Sequence, residues 1–396
     1  MKYRKMGSLD WEVSALGFGC MRLPLTDKSN PEAIDEKEAI KMIRYAIDNG
    51  VNYIDTAWPY HKQKSEELVG KALQDGYREK VKLVTKAPYW LVKKPEDFDE
   101  YLDKQLNNLQ TNYLDIYLLH ALNGKRWKII EKFNLLDKIT KAKEDGKIKH
   151  IGFSFHGSYD DFIKITDAFD WEAIQIQYNY VDDNYQATQK GLDYAASKGI
   201  AIIVMEPIRG GKLATENEEL IQIISKSETK RSLAEWALQY VWNHPGVSVV
   251  LSGMTTFNQV KENIESANRS GSNSLNENDL TILKELKQTF SKNNKVPCTQ
   301  CEYCLPCPEG VAIPTNLGLL NDVSWNGMKP FFTNWYNSMA GTKEELKEKP
   351  DTGKASICIQ CGECLDKCPQ SIDIPTELKR VVGIFEEGIT LEEVYK

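Results

Sequence analysis

Long apolar runs and an excess of positive charge are both missing from this sequence. No apolar run approaches the ~20 residues of a membrane helix, and the longest candidate is the strand-like IAIIVM at 200–205. No apolar segment follows a basic start, as a secretory signal would require. The formal net charge of −7 argues against binding to nucleic acid. We therefore expect a soluble cytoplasmic protein that has neither a membrane nor a nucleic acid as its partner.

Cysteine is scarce over most of the chain and then becomes frequent. Cys20 stands alone, and the other eight of the nine cysteines lie after residue 297. They form two tight sets with short, regular spacing, whereas a secreted disulfide protein scatters its cysteines through many loops. The pattern favours metal ligation in a reducing compartment. Cys20 itself needs no role beyond that of a small buried residue.

The glycine fingerprint of doubly wound dinucleotide-binding folds is also missing. Gly17-Phe18-Gly19 is followed by Cys20, Met21 and Arg22, so the third glycine is absent. A lone Gly-x-Gly more simply lets the backbone approach another group closely. The doubly wound fold is therefore disfavoured.

What the sequence does contain is a regular alternation of strand and helix patterns. Its 396 residues suggest two domains. Strand-like runs lie at 13–19, 53–57, 81–87, 113–120, 148–155, 173–179, 201–207 and 247–253. Helical patterns lie between them, at 65–73, 98–109, 131–144, 158–168, 186–198, 232–243 and 256–267, after a first one that Gly50 ends. Eight such pairs over about 250 residues are the count of a (β/α)8 TIM barrel.

A change in composition marks the predicted domain boundary. An amphipathic helix at 276–290 leads into the polar stretch KNNKVP, after which the alternation is lost and the cysteines begin. We predict an α/β barrel domain over 1–272, a connecting helix and linker over 273–295, and a small, mainly helical, cysteine-rich domain over 296–396.

Four polar side chains lie at the ends of neighbouring strands of the predicted barrel. Asp55 closes one strand, Tyr60 follows it across a short turn, and Lys86 and His120 end the next two strands. A carbonyl accepts hydride more readily when its oxygen is protonated as charge develops. Tyrosine is a reluctant acid because its ordinary pKa is ~10. A lysine ammonium favours its phenolate, a carboxylate can hold that lysine, and a histidine can polarise the carbonyl.

Each of these residues taken alone is more simply explained by packing. Asp55 and Lys86 could form an ordinary buried ion pair, Tyr60 could be a loop aromatic, and His120 could be a core histidine. Their joint position at the strand ends of one barrel favours the catalytic interpretation.

Over about residues 1–270 the sequence resembles the aldo-keto reductase family. The matching strings are YIDTAWPY, KLVTK, YLDIYLLH, IGFS at 151–154, Gln175-x-x-Tyr178-Asn179 and Gln259-x-x-Glu262-Asn263. The resemblance implies a (β/α)8 barrel that binds a nicotinamide dinucleotide without a glycine-rich fingerprint. It also implies a catalytic tetrad of Asp55, Tyr60, Lys86 and His120, acting on a small carbonyl or alcohol substrate.

The resemblance further implies where the dinucleotide, NADP or NAD, would lie. Ser154 and Gln175 would hold the nicotinamide carboxamide. The adenosine end would lie along Gly253, Met254, Gln259 and Asn263. Further contacts are expected from Gly19, Cys20, Met21, Met205, Pro207 and Ile208.

Three positions depart from the family pattern. Met205 lies where relatives commonly stack a tyrosine on the nicotinamide. The residue after Ser154 is usually asparagine in the family, but here it is Phe155, and His156 follows it. No lysine or arginine lies between Ser252 and Gln259, where many relatives bind the 2′-phosphate. The choice between NADP and NAD is therefore open.

The two cysteine sets have the spacing of iron–sulfur ligands. They read Cys298-x-x-Cys301-x-x-Cys304-x-x-Cys307-Pro308 and Cys358-x-x-Cys361-x-x-Cys364-x-x-x-Cys368-Pro369. In two-cluster ferredoxins the fourth cysteine of each run binds the other cluster. That rule groups Cys298, Cys301 and Cys304 with Cys368, and Cys358, Cys361 and Cys364 with Cys307. Zinc is the alternative, but a zinc ion is usually bound by two separated pairs.

The first cysteine run departs from the usual bacterial spacing. Only two residues, Leu305 and Pro306, separate Cys304 from Cys307, whereas three residues usually precede the last cysteine. The tail, with Ile-Pro after each set, resembles ferredoxin-like domains fused to aldo-keto reductases. The resemblance implies two [4Fe-4S] clusters in an iron–sulfur domain over 296–396.

Functions of different classes remain open. The first is an NAD(P)H-dependent carbonyl reductase or alcohol dehydrogenase whose clusters are structural or regulatory. The second is an electron-transfer protein whose clusters relay electrons to or from a redox protein partner. Hydride carries two electrons and a cluster carries one, and no flavin motif is visible to divide the pair. A third is a redox sensor that binds dinucleotide without turnover.

Three aromatic residues lie on the loops after the second and third strands of the predicted barrel. Trp58, Tyr89 and Trp90 could line a substrate pocket or simply pack against their neighbours.

Overall fold

The computed structural model describes residues 1–27 and 30–396 and separates them into two compact units. The first, called the barrel unit, comprises Met1–Arg209, Leu213–Glu216 and Ile224–Leu283. The second, called the cysteine unit, comprises Gly210–Lys212, Asn217–Ile223 and Lys284–Lys396.

A closed parallel barrel forms the centre of the barrel unit. The strands are β1 Tyr3–Lys5, β2 Glu12–Ser14, β3 Leu16–Gly19, β4 Tyr53–Asp55, β5 Lys82–Ala87, β6 Leu114–Leu122, β7 Ile148–Phe155, β8 Ala173–Gln177, β9 Ala201–Met205 and β10 Val247–Gly253. In the described residues, β3 to β10 follow one another around the barrel, and β10 closes it by pairing with β3. The predicted (β/α)8 barrel is confirmed.

A short antiparallel hairpin covers the end at which the barrel strands begin. β1 pairs with β2, with Tyr3 opposite Ser14, and the chain continues directly into β3. Met6 and Val13 of the hairpin lie in the same buried cluster as Val84 and Ile116 of the barrel interior. The opposite end, at which the strands finish, is where barrel enzymes place their sites.

Nine helices of the described barrel residues bury an apolar face in the same core as the strands. They are α1 Glu36–Asp48, α2 Lys64–Ala72, α3 Glu96–Asn108, α4 Gly124–Lys132, α5 Leu135–Glu144, α6 Tyr159–Asp167, α7 Thr188–Ser197, α9 Leu233–Asn243 and α10 Phe257–Asn268. Two more helices, α8 Glu218–Ser225 and α11 Glu277–Asn293, each contain residues of both units. Side chains cap several of the nine helices; Asp35, for example, accepts the Glu38 N–H at the start of α1.

Two expected elements are each divided in the structure. The run 13–19 separates into β2 and β3 because Ser14 pairs with β1, whereas Leu16 pairs with β10. The helical pattern 131–144 separates into α4 and α5 at Asn134, whose φ of 51° is left-handed. Asparagine tolerates that conformation better than most residues. Helix α8 was not expected from the sequence.

The cysteine unit is mainly helical, as predicted. Its further helices are α12 Ile313–Asn326, α13 Pro330–Ser338, α14 Lys343–Glu348, α15 Ile374–Phe385 and α16 Leu391–Val394. Each Ile-Pro step begins a helix, α12 or α15, where the missing proline N–H costs nothing. Tyr336 is buried and stacks on Phe385, whereas Phe331 and Trp335 are exposed. No helix of the described residues is long and apolar enough to cross a bilayer.

Candidate active site and cluster sites

The carboxyl ends of three neighbouring barrel strands bring the predicted tetrad together. Asp55 is the last residue of β4, Lys86 lies next to the end of β5, and His120 lies near the end of β6. Tyr60 opens a 3-10 turn, Tyr60–Gln63, that follows β4. Asp55, Lys86 and His120 are buried, and Tyr60 is half-buried. The four residues therefore meet at one end of the barrel.

Lys86 is the centre of this group. Its Nζ lies 2.7 Å from Asp55 Oδ1, 2.8 Å from the Thr56 carbonyl oxygen and 3.2 Å from Tyr60 Oη. The side chains of Lys86 and Asp55 are only 2% and 3% exposed. An ammonium this close to a phenol oxygen favours the phenolate form, and the effect is strong where water is excluded.

Burial shifts the pKa values of Asp55 and Lys86 in opposite directions. It raises the pKa of Asp55 and lowers the pKa of Lys86, because water no longer stabilises either charge. Each charge offsets part of the other's shift. Gln175 Nε2 adds a long hydrogen bond, 3.4 Å from Asp55 Oδ2. The two ionised forms therefore depend on each other.

His120 is held in its neutral form. Burial first, and then the positive charges of Lys86 and Arg126, lower its pKa well below the usual value. Its ring lies edge-on to Tyr60, with centroids 6.2 Å apart. A neutral imidazole beside a phenol can donate a hydrogen bond to a carbonyl oxygen without adding a charge.

Of the three aromatic residues expected near the substrate, Trp90 lies beside the tetrad. Its ring centroid is 5.3 Å from that of His120, and 40% of the residue is exposed. Tyr89 is fully buried. Trp58 packs edge-on against Tyr101, with centroids 5.4 Å apart. Trp90 therefore borders the reacting groups, while Tyr89 and Trp58 pack against their neighbours.

The backbone just after His120 is unusual and is held from two sides. Ala121 has a φ of 53°, in the left-handed region that disfavours a residue with a Cβ. Its N–H donates to Ser154 Oγ at 2.7 Å, and its carbonyl accepts from Arg126 Nη1 at 2.9 Å. Ser154 and Arg126 therefore fix the end of β6 that carries His120.

The turn that carries Tyr60 is fixed by a histidine that the sequence reasoning missed. His61, Lys62 and Gln63 all have positive φ. His61 Nε2 accepts the Leu23 N–H at 3.1 Å, and its Nδ1 lies 2.8 Å from the Pro31 carbonyl oxygen. This imidazole is buried, and burial lowers its pKa, so it is a neutral bridge between loops. A lone histidine in a polar stretch gives no signal of that role.

The residues predicted to hold a nicotinamide include one orphaned acceptor. Gln175 Oε1, on β8, is buried and has no hydrogen-bond partner among the described residues. A buried acceptor of this kind is normally satisfied by a donor. A carboxamide N–H would supply that donor, so the residue fits the predicted group.

The other predicted dinucleotide contacts lie at the ends of β3, β9 and β10. Gly19 and Gly253 are register partners. Asn263 Nδ2 donates to Ser252 Oγ at 3.0 Å, and Gln259 completes the capping box of its own helix. The remaining positions follow the same strand ends; Cys20, Pro207 and Met254 are buried, and Met21, Met205 and Ile208 are half-buried.

Three charged residues near the site escaped the sequence reasoning. Arg22 packs against Gly253, so a cation stands beside the predicted adenosine end although Ser252–Gln259 has none. Glu66, on α2, is fully buried behind Lys86. Arg126 lies beside the backbone that follows His120. None of the three belongs to a sequence motif that marks it, and only folding brings it to the site.

The cysteine unit gathers its eight cysteines around two cavities. One cavity is lined by Cys298, Cys301, Cys304 and Cys368. The other is lined by Cys304, Cys307, Cys358, Cys361 and Cys364. Each cavity thus contacts the first three cysteines of one run and the fourth of the other, which is the crossed grouping of two-cluster ferredoxins; Cys304 borders both cavities.

The thiols influence one another in the same two groups. Burial first, and then Cys301, Cys298 and Cys368, raise the pKa of Cys304. Burial raises the pKa of Cys364 to about 11, with contributions from Cys358, Cys307 and Cys361. No three ligating side chains in the described residues are arranged to hold a single ion. A cubane cluster does not require its ligands to converge on a single ion, because its four cysteines bind four different irons.

Comparison with known proteins identifies both parts of the chain. The model of the aldo/keto reductase family matches residues 15–287, and that of a 4Fe-4S dicluster domain matches residues 297–372. The oxidoreductase YqkF of Bacillus subtilis is 28% identical over 303 residues, which are 68% of this chain and 92% of that protein. The L-galactose dehydrogenase of Arabidopsis thaliana is 28% identical over 291 residues, 67% of this chain and 87% of that protein.

A solved structure gives the same result for the barrel. The holo form of an aldo-keto reductase from Bacillus halodurans superposes with a TM-score of 0.60 at 26% identity, covering 72% of this chain and 96% of that one. The family model alone accounts for more than half of the sequence. The chain therefore belongs to the aldo/keto reductase family of oxidoreductases and carries a 4Fe-4S ferredoxin-like domain after its barrel.

Proposed function

We propose that the barrel reduces a small aldehyde or ketone with NADPH or NADH, or oxidises the matching alcohol. The observation that carries the proposal is the position of Lys86 Nζ, 2.7 Å from Asp55 Oδ1 and 3.2 Å from Tyr60 Oη. Neutral His120 lies beside the same phenol. A bound nicotinamide dinucleotide would supply the hydride or receive it.

Each member of the tetrad has a separate role in this proposal. Tyr60 donates its phenolic proton to the carbonyl oxygen as negative charge develops there. Lys86 stabilises the phenolate that remains, and Asp55 holds Lys86 in place. His120 orients the carbonyl oxygen through a hydrogen bond. In alcohol oxidation the phenolate removes the hydroxyl proton, so the same residues act in the reverse order.

Removing the Tyr60 hydroxyl tests this proposal. Tyr60→Phe keeps the ring but deletes the proton donor, so carbonyl reduction is expected to fall by about 10²–10⁴-fold. Dinucleotide affinity, measured by fluorescence titration, is expected to stay unchanged. Tyr159→Phe, at an exposed tyrosine, is the matched control. A Tyr60→Phe enzyme with full activity would remove Tyr60 from the mechanism.

The dinucleotide contacts remain part of the proposal. Ser154 and Gln175 would orient the carboxamide, and Gly253, Met254, Gln259 and Asn263 would follow the adenosine end. Gln175 supports this placement because its buried Oε1 accepts no hydrogen bond from the described residues and could accept one from the carboxamide.

We further propose that the tail holds two [4Fe-4S] clusters, one in each cysteine-lined cavity. The crossed lining of the two cavities supports this assignment. Iron and sulfide analysis under anaerobic conditions is expected to give about eight irons per chain. Zinc in their place would refute the assignment.

The proposed division of the chain is a barrel over 1–272, a connecting helix and linker over 273–295 and a ferredoxin-type domain over 296–396.

A second candidate function is electron transfer to or from a redox protein partner. It is favoured by the exposure of Cys361 and of its neighbour Ile359, which is 63% exposed, because a cluster bound there would lie near solvent. Anaerobic stopped-flow mixing with NADPH or NADH distinguishes the two functions. Bleaching of the cluster absorbance without a carbonyl present would favour electron transfer over an isolated carbonyl reductase.

A further inference from the structure

A guanidinium lies beside the tetrad, and the proposed proton transfer does not use it. Arg126, in the first turn of α4, is half-buried. Its Nη1 lies 2.9 Å from the carbonyl oxygen of Ala121, the residue that follows His120. This contact places the positive charge next to the catalytic end of β6.

The neighbours of Arg126 locate it further. Its charge helps to lower the pKa values of His120 and His156, and it offsets part of the rise that burial causes in the pKa of Tyr89. Tyr89 follows β5, His120 lies on β6 and His156 follows β7. Arg126 thus interacts electrostatically with groups at the carboxyl ends of three consecutive strands.

The surroundings suit the distal part of a substrate. Trp90 lies 5.3 Å from His120 and offers an apolar surface next to the reacting groups. His156 is neutral near pH 7, because burial and then Arg126 lower its pKa to about 4. A planar guanidinium binds carboxylates with short, charge-assisted hydrogen bonds, which lysine matches less well.

We propose that the substrate carries a carboxylate, which Arg126 binds while the carbonyl lies between Tyr60 and His120. The inference rests on the proposed carbonyl reduction and names its substrate class. An aldehyde acid would place its two polar ends on Arg126 and Tyr60 and its carbon skeleton against Trp90.

Two substrates that differ in one charge test the proposal. They are 4-carboxybenzaldehyde and its methyl ester, and their kcat/KM values are compared in the wild type and in Arg126→Met. The wild type is expected to prefer the acid by about tenfold or more, the worth of a hydrogen bond to a charged group. Arg126→Met should lose that preference through KM, and Arg126→Lys should recover part of it.

Controls separate binding from support of the fold. Lys125→Met removes the same charge from the exposed neighbouring residue and is expected to keep the preference. If Arg126→Met lowered the rates for acid and ester equally, Arg126 would only support β6, and the proposal would be wrong. A wild type with no preference for the acid would also overturn it.

A binding measurement keeps the substrate class testable even if no carbonyl is reduced. Benzoate and benzamide are titrated calorimetrically into the full chain with NADPH present. Tighter binding of benzoate in the wild type and in Lys125→Met, but not in Arg126→Met, supports the anion site. Equal binding of the two ligands in the wild type contradicts it, whereas failure of turnover alone contradicts only the carbonyl reduction.

Discussion

At the scale of single residues, the site depends on one buried ion pair. Asp55 and Lys86 are almost without exposure, and their charged atoms are 2.7 Å apart. Removing one partner of such a pair leaves a buried charge uncompensated and costs about 3–5 kcal/mol. The pair therefore supports the fold and the proposed chemistry together.

Lys86→Met makes this dependence visible through pH. Without the ammonium, burial holds the pKa of Asp55 still further above its ordinary value. A raised pKa in the folded state favours the protonated carboxyl, so stability is retained at acid pH and lost as the pH rises through that pKa. The fall in thermal midpoint relative to the wild type is therefore expected to be larger at pH 8 than at pH 5.

The control for this prediction is Lys71→Met, which removes a lysine from an exposed pair with Glu36. Exposed pairs contribute little, so its midpoint should stay close to that of the wild type at both pH values. If the thermal midpoint of Lys86→Met fell by the same amount at both pH values, the loss of stability would not come from the ionised Asp55.

At the scale of elements, the first turn of α2 supports the strand that carries Lys86. Ser65 Oγ donates to the Cys20 carbonyl oxygen at 2.9 Å and lies 2.8 Å from Thr56 Oγ1. Glu66 Oε1 accepts from Thr85 Oγ1 at 2.7 Å and from Gln105 Nε2 at 2.5 Å. The helix thereby fixes β3, β4 and β5 at the height of the tetrad.

Glu66→Gln tests this element. The amide keeps one acceptor oxygen but directs N–H groups at neighbours that are themselves donors, so unfolding is expected to become easier by about 1–3 kcal/mol. Urea unfolding followed by circular dichroism measures the change. Glu67→Gln, the same substitution at the exposed next residue, is expected to stay within about 0.5 kcal/mol of the wild type. Similar losses in both variants would contradict a special role for Glu66.

At the scale of the whole molecule, the cysteine runs tie distant parts of the tail together. Cys368 lines the cavity of the first run, and Cys307 lines the cavity of the second. Two clusters bound in this crossed way would cross-link the two ends of the domain. Loss of one ligand should therefore weaken the binding of a cluster whose other ligands lie far away in sequence.

Paired serine substitutions test the crossing. If the ligands cross, Cys358→Ser with Cys368→Ser damages both clusters, while Cys298→Ser with Cys368→Ser damages one and leaves about half of the iron. If they do not cross, the two results are exchanged. Iron analysis and electron paramagnetic resonance of the reduced protein measure the outcome, and the two doubles serve as controls for each other.

The departures from the expected elements also arise at this scale. The strand run 13–19 divides because its first part pairs in the hairpin and its second part in the barrel. A period-two pattern records burial but not the strand with which each residue pairs. Likewise, nothing local distinguishes Glu66, buried on α2, from Glu67 beside it on the surface.

The sequence by itself determined the barrel, the ferredoxin-like tail and the family, because periodic apolar patterns and cysteine spacing are local signals that survive without a fold. It also predicted which four side chains would end up at neighbouring strand ends. Only the tertiary structure decided the supporting groups, among them His61, Glu66 and Arg126, since their positions depend on which loops and helices meet at the end of the barrel. Burial then lowers the pKa of His61 and raises that of Glu66, and burial is a property of the folded chain.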